Sequence, residues 1–277
     1  MKKSIISLTL ASALLFTATP QANAGGFYNY GTESETSGYN DALQLLTKTS
    51  NYDLYVKRHL GESGVVANYN YDKPNVYSVG TTSAIGKHTL ITASHVVQKQ
   101  NPTKDHDSQT PDKLRVQIKR NGDSSTIKHT VKVKDVVPIK NTDMAIIHTY
   151  EDVSQYMRIQ KIASESSIKN MKFKEPIYYH HYSNMKIDPY KNDRMGTSYL
   201  SIGRFIKNGN DIEHPYMYYT GYSSGGSSGA SVMNSRHEII GINVKSYSLN
   251  TMAKEKNMKL GYTLLGQPRK DILKEIY

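Results

Sequence analysis

Downstream of about residue 76 the apolar residues fall into short runs, many alternating with polar ones and cut by Gly, Asn, Asp and Pro. "NVYSVGTTSAIG", "HTLITASHVV", "KLRVQIKR", "IKHTVKVKDVV" and "DMAIIHT" predict one set of strands. "EPIYYHHYS", "TSYLSIGRFI", "YMYYTG", "SVMN", "EIIGINVKSY" and "KLGYTLL" predict a second, after a helix-like connection near 153–170. The chain closes on "QPRKDILKEIY", where Pro268 suits a first helical turn and Ile272, Leu273 and Ile276 share an apolar face. Ahead of the strands, "SGYNDALQLLTKT" predicts a helix, with Ser37 or Asn40 as cap, Asp41 in its first turn and Leu43, Leu45 and Leu46 to bury. The pattern predicts an all-β chain of two packed β-barrels with an N-terminal helical extension and a C-terminal helix. No repeat at solenoid spacing interrupts it.

The opening residues add a different element. Lys2 and Lys3 precede an apolar run from Ile5 to Phe16 and small residues ending in Ala22-x-Ala24. That order is the grammar of a secretory signal peptide, and the run is too short to span a bilayer. The expected organisation is 1–24 signal peptide, 25–62 extension with helix, 63–155 N-terminal barrel and 156–277 C-terminal barrel with connector and closing helix. The extension admits a second reading, a cleaved propeptide. The product is expected to be secreted, to have no membrane span and to act as a monomer.

Composition narrows the chemistry. With no cysteine, thiolate nucleophiles, zinc-thiolate sites and disulfides are excluded. The formal charge is +11, or +9 without the two signal lysines, which favours acidic partners. The basic residues alternate along strand-like runs, as on a solvated sheet face, and no nucleic-acid motif accompanies them. The tyrosine-rich runs read as barrel packing in a chain without tryptophan. Adjacent strand residues His180 and His181 point to opposite faces, which argues against one tight metal site. No cofactor or metal is expected.

The Gly/Ser-rich stretch "GYSSGGSSGASV" has the composition of a linker, yet it runs straight into "ASVMNSRHEIIGI", a strand, a turn and a strand. In Gly226-Ser227-Ser228-Gly229 a tight turn lets the N–H groups of Gly226 and Ser228 converge, as an oxyanion hole requires. A serine nucleophile needs a base, and the base needs an orienting carboxylate. His95 follows an apolar strand and the small residues Thr92, Ala93 and Ser94. Asp143 leads directly into the apolar "MAIIHT", where an acid without a partner is costly. Asp135 is its rival, read as a surface or turn residue closing a basic strand.

The order His, Asp, Ser and the phrases "TASHVV", "TDMAII" and "GGSSGASV" resemble the chymotrypsin-like serine endopeptidases. The cysteine-free secreted form looks like the branch of staphylococcal glutamyl endopeptidases and exfoliative toxins. The resemblance runs from about Val76 to the C-terminus, with "IGKHTLITASHVV" its most specific phrase. It implies paired six-stranded antiparallel barrels with His95 as base, Asp143 orienting it, Ser228 attacking, and Gly226 with Ser228 forming the oxyanion hole. It further implies a protein substrate, such as a host cell-adhesion protein. The helical extension is similar to that of exfoliative toxins. Glutamate-specific relatives place a hydroxyl five positions before the nucleophile, matched by Ser223, and a histidine in a "GIH" phrase. Here "GIN" puts Asn243 there, an amide able to bond a carboxylate but not to neutralise it. Lys245 is placed to supply charge. Two other readings stay open: a non-catalytic binding protein on this scaffold, and a latent protease that awaits a partner.

Overall fold

The computed structural model describes residues 55–58, 64–68, 78–99, 107–119, 127–182, 198–209, 215–221, 225–246 and 258–277. The signal-like segment, the helix expected around 37–49 and Ser223 lie outside them. In the first half, β2 (Gly64–Asn68), β3 (Val79–Ala84), β4 (Thr89–Ala93), β5 (Leu114–Lys119), β6 (Ile127–Ile139) and β7 (Met144–Thr149) close a barrel in the order β2-β3-β4-β7-β6-β5. Every residue of β4 and β7 is buried. Their two faces serve two cores. Leu90, Ala145 and Ile147 fill the barrel, whereas Ile91, Met144 and Ile146 join the core of the second half. Burial on both faces explains why these strands read as nearly continuous apolar runs.

The second half comprises β8 (Pro176–Tyr182), β9 (Ser198–Asn208), β10 (Tyr216–Thr220), β11 (Ser231–Met233), β12 (Ile239–Ser246) and β13 (Met258–Thr263). They run β9-β10-β13-β12-β11-β8, and β8 pairs back onto β9. Tyr179, Tyr182, Tyr218 and Tyr219 are fully buried, and Tyr179 meets Tyr219 edge-on at 6.0 Å. Tyrosine is indeed the aromatic packing residue here.

A seventh strand lies within the expected extension. β1 (Tyr55–Arg58) pairs antiparallel with β9, from Tyr55 opposite Ile202 to Arg58 opposite Tyr199. β10 pairs with β9 only at 205–208, so the longer β9 keeps an open edge that β1 covers. A strand of four residues leaves too little alternation to announce itself in sequence.

The connector is also not one helix. It forms a 3-10 turn at Val153–Gln155 and a single α-turn, α1 (Glu165–Lys169). Each has its own cap, Asp152 accepting from the Ser154 N–H and Ser164 from the Ser167 N–H. The extended chain between them bonds to both halves: Gln160 N–H to the Ala84 carbonyl, and Ala163 N–H to the Ile239 carbonyl. The closing helix α2 (Gly266–Lys274) carries Pro268 in its first turn, as expected. Ile272 is fully buried, but Leu273 is 45% exposed and so leaves the expected apolar face. Beyond it, Tyr277 docks on the first barrel, its N–H donating to Thr89 Oγ1 at 3.0 Å and its carbonyl accepting from the His88 N–H at 2.9 Å.

Candidate active site

The antiparallel pairing of β4 with β7 sets Ala93 opposite Met144. The residues just past that pair, His95 and Asp143, are therefore neighbours by register. Leaving β4, the chain tightens into a 3-10 turn at Ser94–Val96, and the Ser94 N–H donates to the Asp143 carbonyl at 3.1 Å. Before β7 the chain turns at Ile139–Asp143, with Thr142 Oγ1 donating to the Ile139 carbonyl at 2.8 Å and accepting from the Met144 N–H at 3.2 Å. The Asp143 carboxylate then meets His95 twice. Oδ1 accepts the His95 backbone N–H at 2.8 Å, and Oδ2 lies 2.6 Å from Nδ1. A carboxylate only accepts, so Nδ1 carries the proton and the lone pair of the neutral ring resides on Nε2.

Ser228 belongs to the other half, in the turn that enters β11. The turn uses positive φ at Gly226 (+100°) and Gly229 (+87°). At Gly229 only glycine fits: a Cβ would lie 2.2 Å from the Thr81 carbonyl oxygen and 2.3 Å from Thr92 Oγ1. Thr81 of β3 grips this turn across the boundary. Its N–H donates to the Ser228 carbonyl at 2.7 Å and its hydroxyl to the Gly226 carbonyl at 2.9 Å.

His95, Asp143, Ser228 and Lys245 line one cleft of about 430 Å3, together with Gly225, Ser227 and Val244. The Ser228 hydroxyl donates to the Val244 carbonyl at 3.1 Å. Among the described residues no hydrogen bond joins it to His95. Nor do the N–H groups of Gly226 and Ser228 have an acceptor among the described residues. The arrangement provides a hydroxyl and an oriented imidazole within one opening, which the residue bearing the uncommitted Ser228 N–H also lines.

Several other candidate residues have partners of their own. Asn243 is 1% exposed, and its carboxamide is engaged inward, donating to the Ser227 carbonyl at 2.9 Å and Ser227 Oγ at 3.2 Å while accepting from the Tyr219 hydroxyl. It is not among the residues that line the cleft, whereas exposed Lys245 of β12 is. Asp135 lies at the surface as expected, its side chain 46% exposed, but in a strand and not a turn. It sits inside β6 with Oδ1 2.5 Å from Nδ1 of the buried His148, whose Nε2 faces the Glu275 carbonyl at 2.9 Å. This second His–Asp pair lies at the C-terminal tail, outside the cleft lining. His180 and His181 are both buried. His181 Nε2 lies 2.8 Å from Ser201 Oγ, and burial, aided by the charge of Lys259, pushes its pKa down to about 3. Among the described residues no group of three or more His, Asp or Glu is arranged to hold a metal, and no helix there is long and apolar enough to cross a membrane.

Thr81 is the site residue that sequence reasoning missed. Only its place in a strand set the expectation, and its partner is 147 positions away.

Residues 61–259 match the model of the family described as Trypsin. The chain belongs to the trypsin family. Its two-barrel fold is that of trypsin-like serine proteases, and solved structures share it. A Glu endopeptidase in complex with MPD superposes with a TM-score of 0.52 at 14% identity, covering 76% of this chain and 88% of its own. The protease Anisep from Arthrobacter nicotinovorans gives 0.55 at 13%, covering 78% and 95%. An inactivated protease paralogue of the scabies mite gives 0.57 at 11%, covering 78% and 94%. At these identities the likeness is one of fold, and that fold carries both proteases and an inactivated paralogue. For this trypsin-family chain, catalysis must be argued from its own cleft.

Proposed function

We propose that the protein is a secreted serine endopeptidase. The observation that carries the reading is the doubly bonded His95–Asp143 pair opening on the same cleft as Ser228, within a trypsin-family fold. In the reaction, Ser228 Oγ leaves the Val244 carbonyl and bonds to the scissile carbonyl carbon while His95 Nε2 takes its proton. Asp143 holds the resulting imidazolium through Nδ1. The N–H groups of Gly226 and Ser228 receive the oxyanion. His95 then returns the proton to the leaving amine as the C–N bond breaks, and water repeats the steps to free the acid. Lys245 at the cleft favours peptides with an acidic side chain near the scissile bond.

The signal-like opening supports export. The resemblance to the exfoliative-toxin branch supports a virulence role, with a host cell-adhesion protein as the class of target. A fluorophosphonate probe is expected to form a covalent adduct at Ser228, absent in Ser228→Ala. An unmodified wild-type protein after prolonged incubation would sink the reading. One observation favours a second reading, a resting protease: the Ser228 hydroxyl is engaged by Val244 and not by His95. It predicts labelling that is slow alone and accelerates with one folded protein substrate.

A further inference from the structure

The carboxamide of Asn243 has a job in the oxyanion turn. Its Nδ2 and the Ala230 N–H, the latter at 3.0 Å, both donate to the Ser227 carbonyl. That carbonyl belongs to the same peptide group as the Ser228 N–H. In a planar trans peptide the two bonds point in opposite directions, so drawing the carbonyl inward aims the N–H outward. Ser227 and Ser228 both line the cleft. Because the Ser227 carbonyl only accepts, the amide face toward it must be the NH2 end, which leaves Oδ1 turned to Tyr219. The Tyr219 hydroxyl donates to Oδ1 and thereby locks the amide's orientation. Burial raises the Tyr219 pKa well above its ordinary value, so the hydroxyl remains a donor. Backbone bonds brace the same residue: the Asn243 N–H donates to the Ala230 carbonyl and its carbonyl accepts from the Gly229 N–H, each at 2.8 Å.

The geometry points to Asn243 as a positioning residue, seated by Tyr219, that fixes the Ser227–Ser228 peptide so its N–H meets the developing oxyanion. The inference rests on the endopeptidase reading above. It assigns Asn243 a part in the rate of the chemical step and none in choosing the substrate side chain.

The test uses the mature protein, a fluorophosphonate probe and a fluorogenic peptide selected by wild-type cleavage of a peptide library. Asn243→Leu removes the donor while keeping the branched heavy-atom skeleton; Tyr219→Phe removes only the hydroxyl that orients the amide. With near-UV circular dichroism unchanged, Asn243→Leu is expected to lower kcat about 100-fold and Tyr219→Phe about 10-fold, both with KM within about twofold, since only transition-state stabilisation is lost. The rate of Ser228 phosphonylation should fall in parallel. Should Asn243→Leu fail to fold, Tyr219→Phe decides. Unchanged kcat in the folded variants, or a loss carried by KM, would overturn the positioning role while leaving the protease reading intact. A wild-type protein that neither labels nor cleaves would instead overturn the reading beneath it.

Discussion

The N–H of Thr81, in the first barrel, donates to the carbonyl of Ser228, in the second, at 2.7 Å. The turn bearing the proposed nucleophile is thus fixed partly by the half of the molecule that carries the proposed base. The Thr81 side chain extends the grip, its Oγ1 donating to the Gly226 carbonyl and accepting from the Tyr182 N–H, each at 2.9 Å.

Thr81→Val keeps the size and the backbone bond but strands two polar groups. Leaving buried donors and acceptors unmade costs about 1–3 kcal/mol. Chemical denaturation should show a loss in that range, and activity should fall further than stability alone explains. A fully active variant of wild-type stability would show the hydroxyl to be dispensable.

Gly229→Ala should be severe. The new Cβ would meet backbone and side-chain atoms of Thr81 and Thr92 closer than 2.4 Å, at a φ of +87°. The first barrel must shift to admit it. Expected outcomes are a lowered melting temperature and loss of Ser228 labelling; a stable, labelled Gly229→Ala would contradict the packing described.

Much of this site can be read from sequence because β4 and β7 are buried on both faces. Near-continuous apolar runs, one leading to His95 and one from Asp143, mark interior strands with a polar residue at the end of each, and glycines bracket Ser228. For Asn243 the physical reason is plain: alternation places a residue on a face but does not say whether its amide meets solvent or a neighbouring turn. Asp135 followed the basic pattern of its strand, and its buried partner His148 became visible only once β6 lay beside β7. β1 escaped notice because its pairing depends on an edge of β9 left open by another strand.

Acid should loosen the connector. Glu238 is held at about 2, well below its ordinary 4.5, by hydrogen bonds from Lys161, then Asn234 and Arg236. A depressed carboxyl pKa adds stability that is present in full above about pH 4.5 and is lost as pH falls toward 2. The shift corresponds to roughly 3 kcal/mol. Glu238→Gln should be less stable at neutral pH and lose less between pH 4.5 and 2, as read by melting temperature across that window. Parallel acid slopes in the two proteins would assign the effect elsewhere.

Lys245→Glu should reverse the charge preference at the cleft. Cleavage of peptides acidic beside the scissile bond is expected to drop about tenfold relative to neutral ones, with the difference shrinking in high salt. An equal effect on both peptides would remove Lys245 from recognition.

The docking of Tyr277 onto Thr89 and His88 has a further consequence when set beside β1. Among the described residues the polypeptide ties the two halves together at three places: β1 lies on the second sheet ahead of the first barrel, the connector bonds to both, and the tail returns from α2 to the first. Such cross-bracing resists hinging. On the proposed endopeptidase reading, the mouth between His95 and Ser228 is then of nearly set width, and a protein substrate would have to bring its own pliability, offering a loop or an unwound segment.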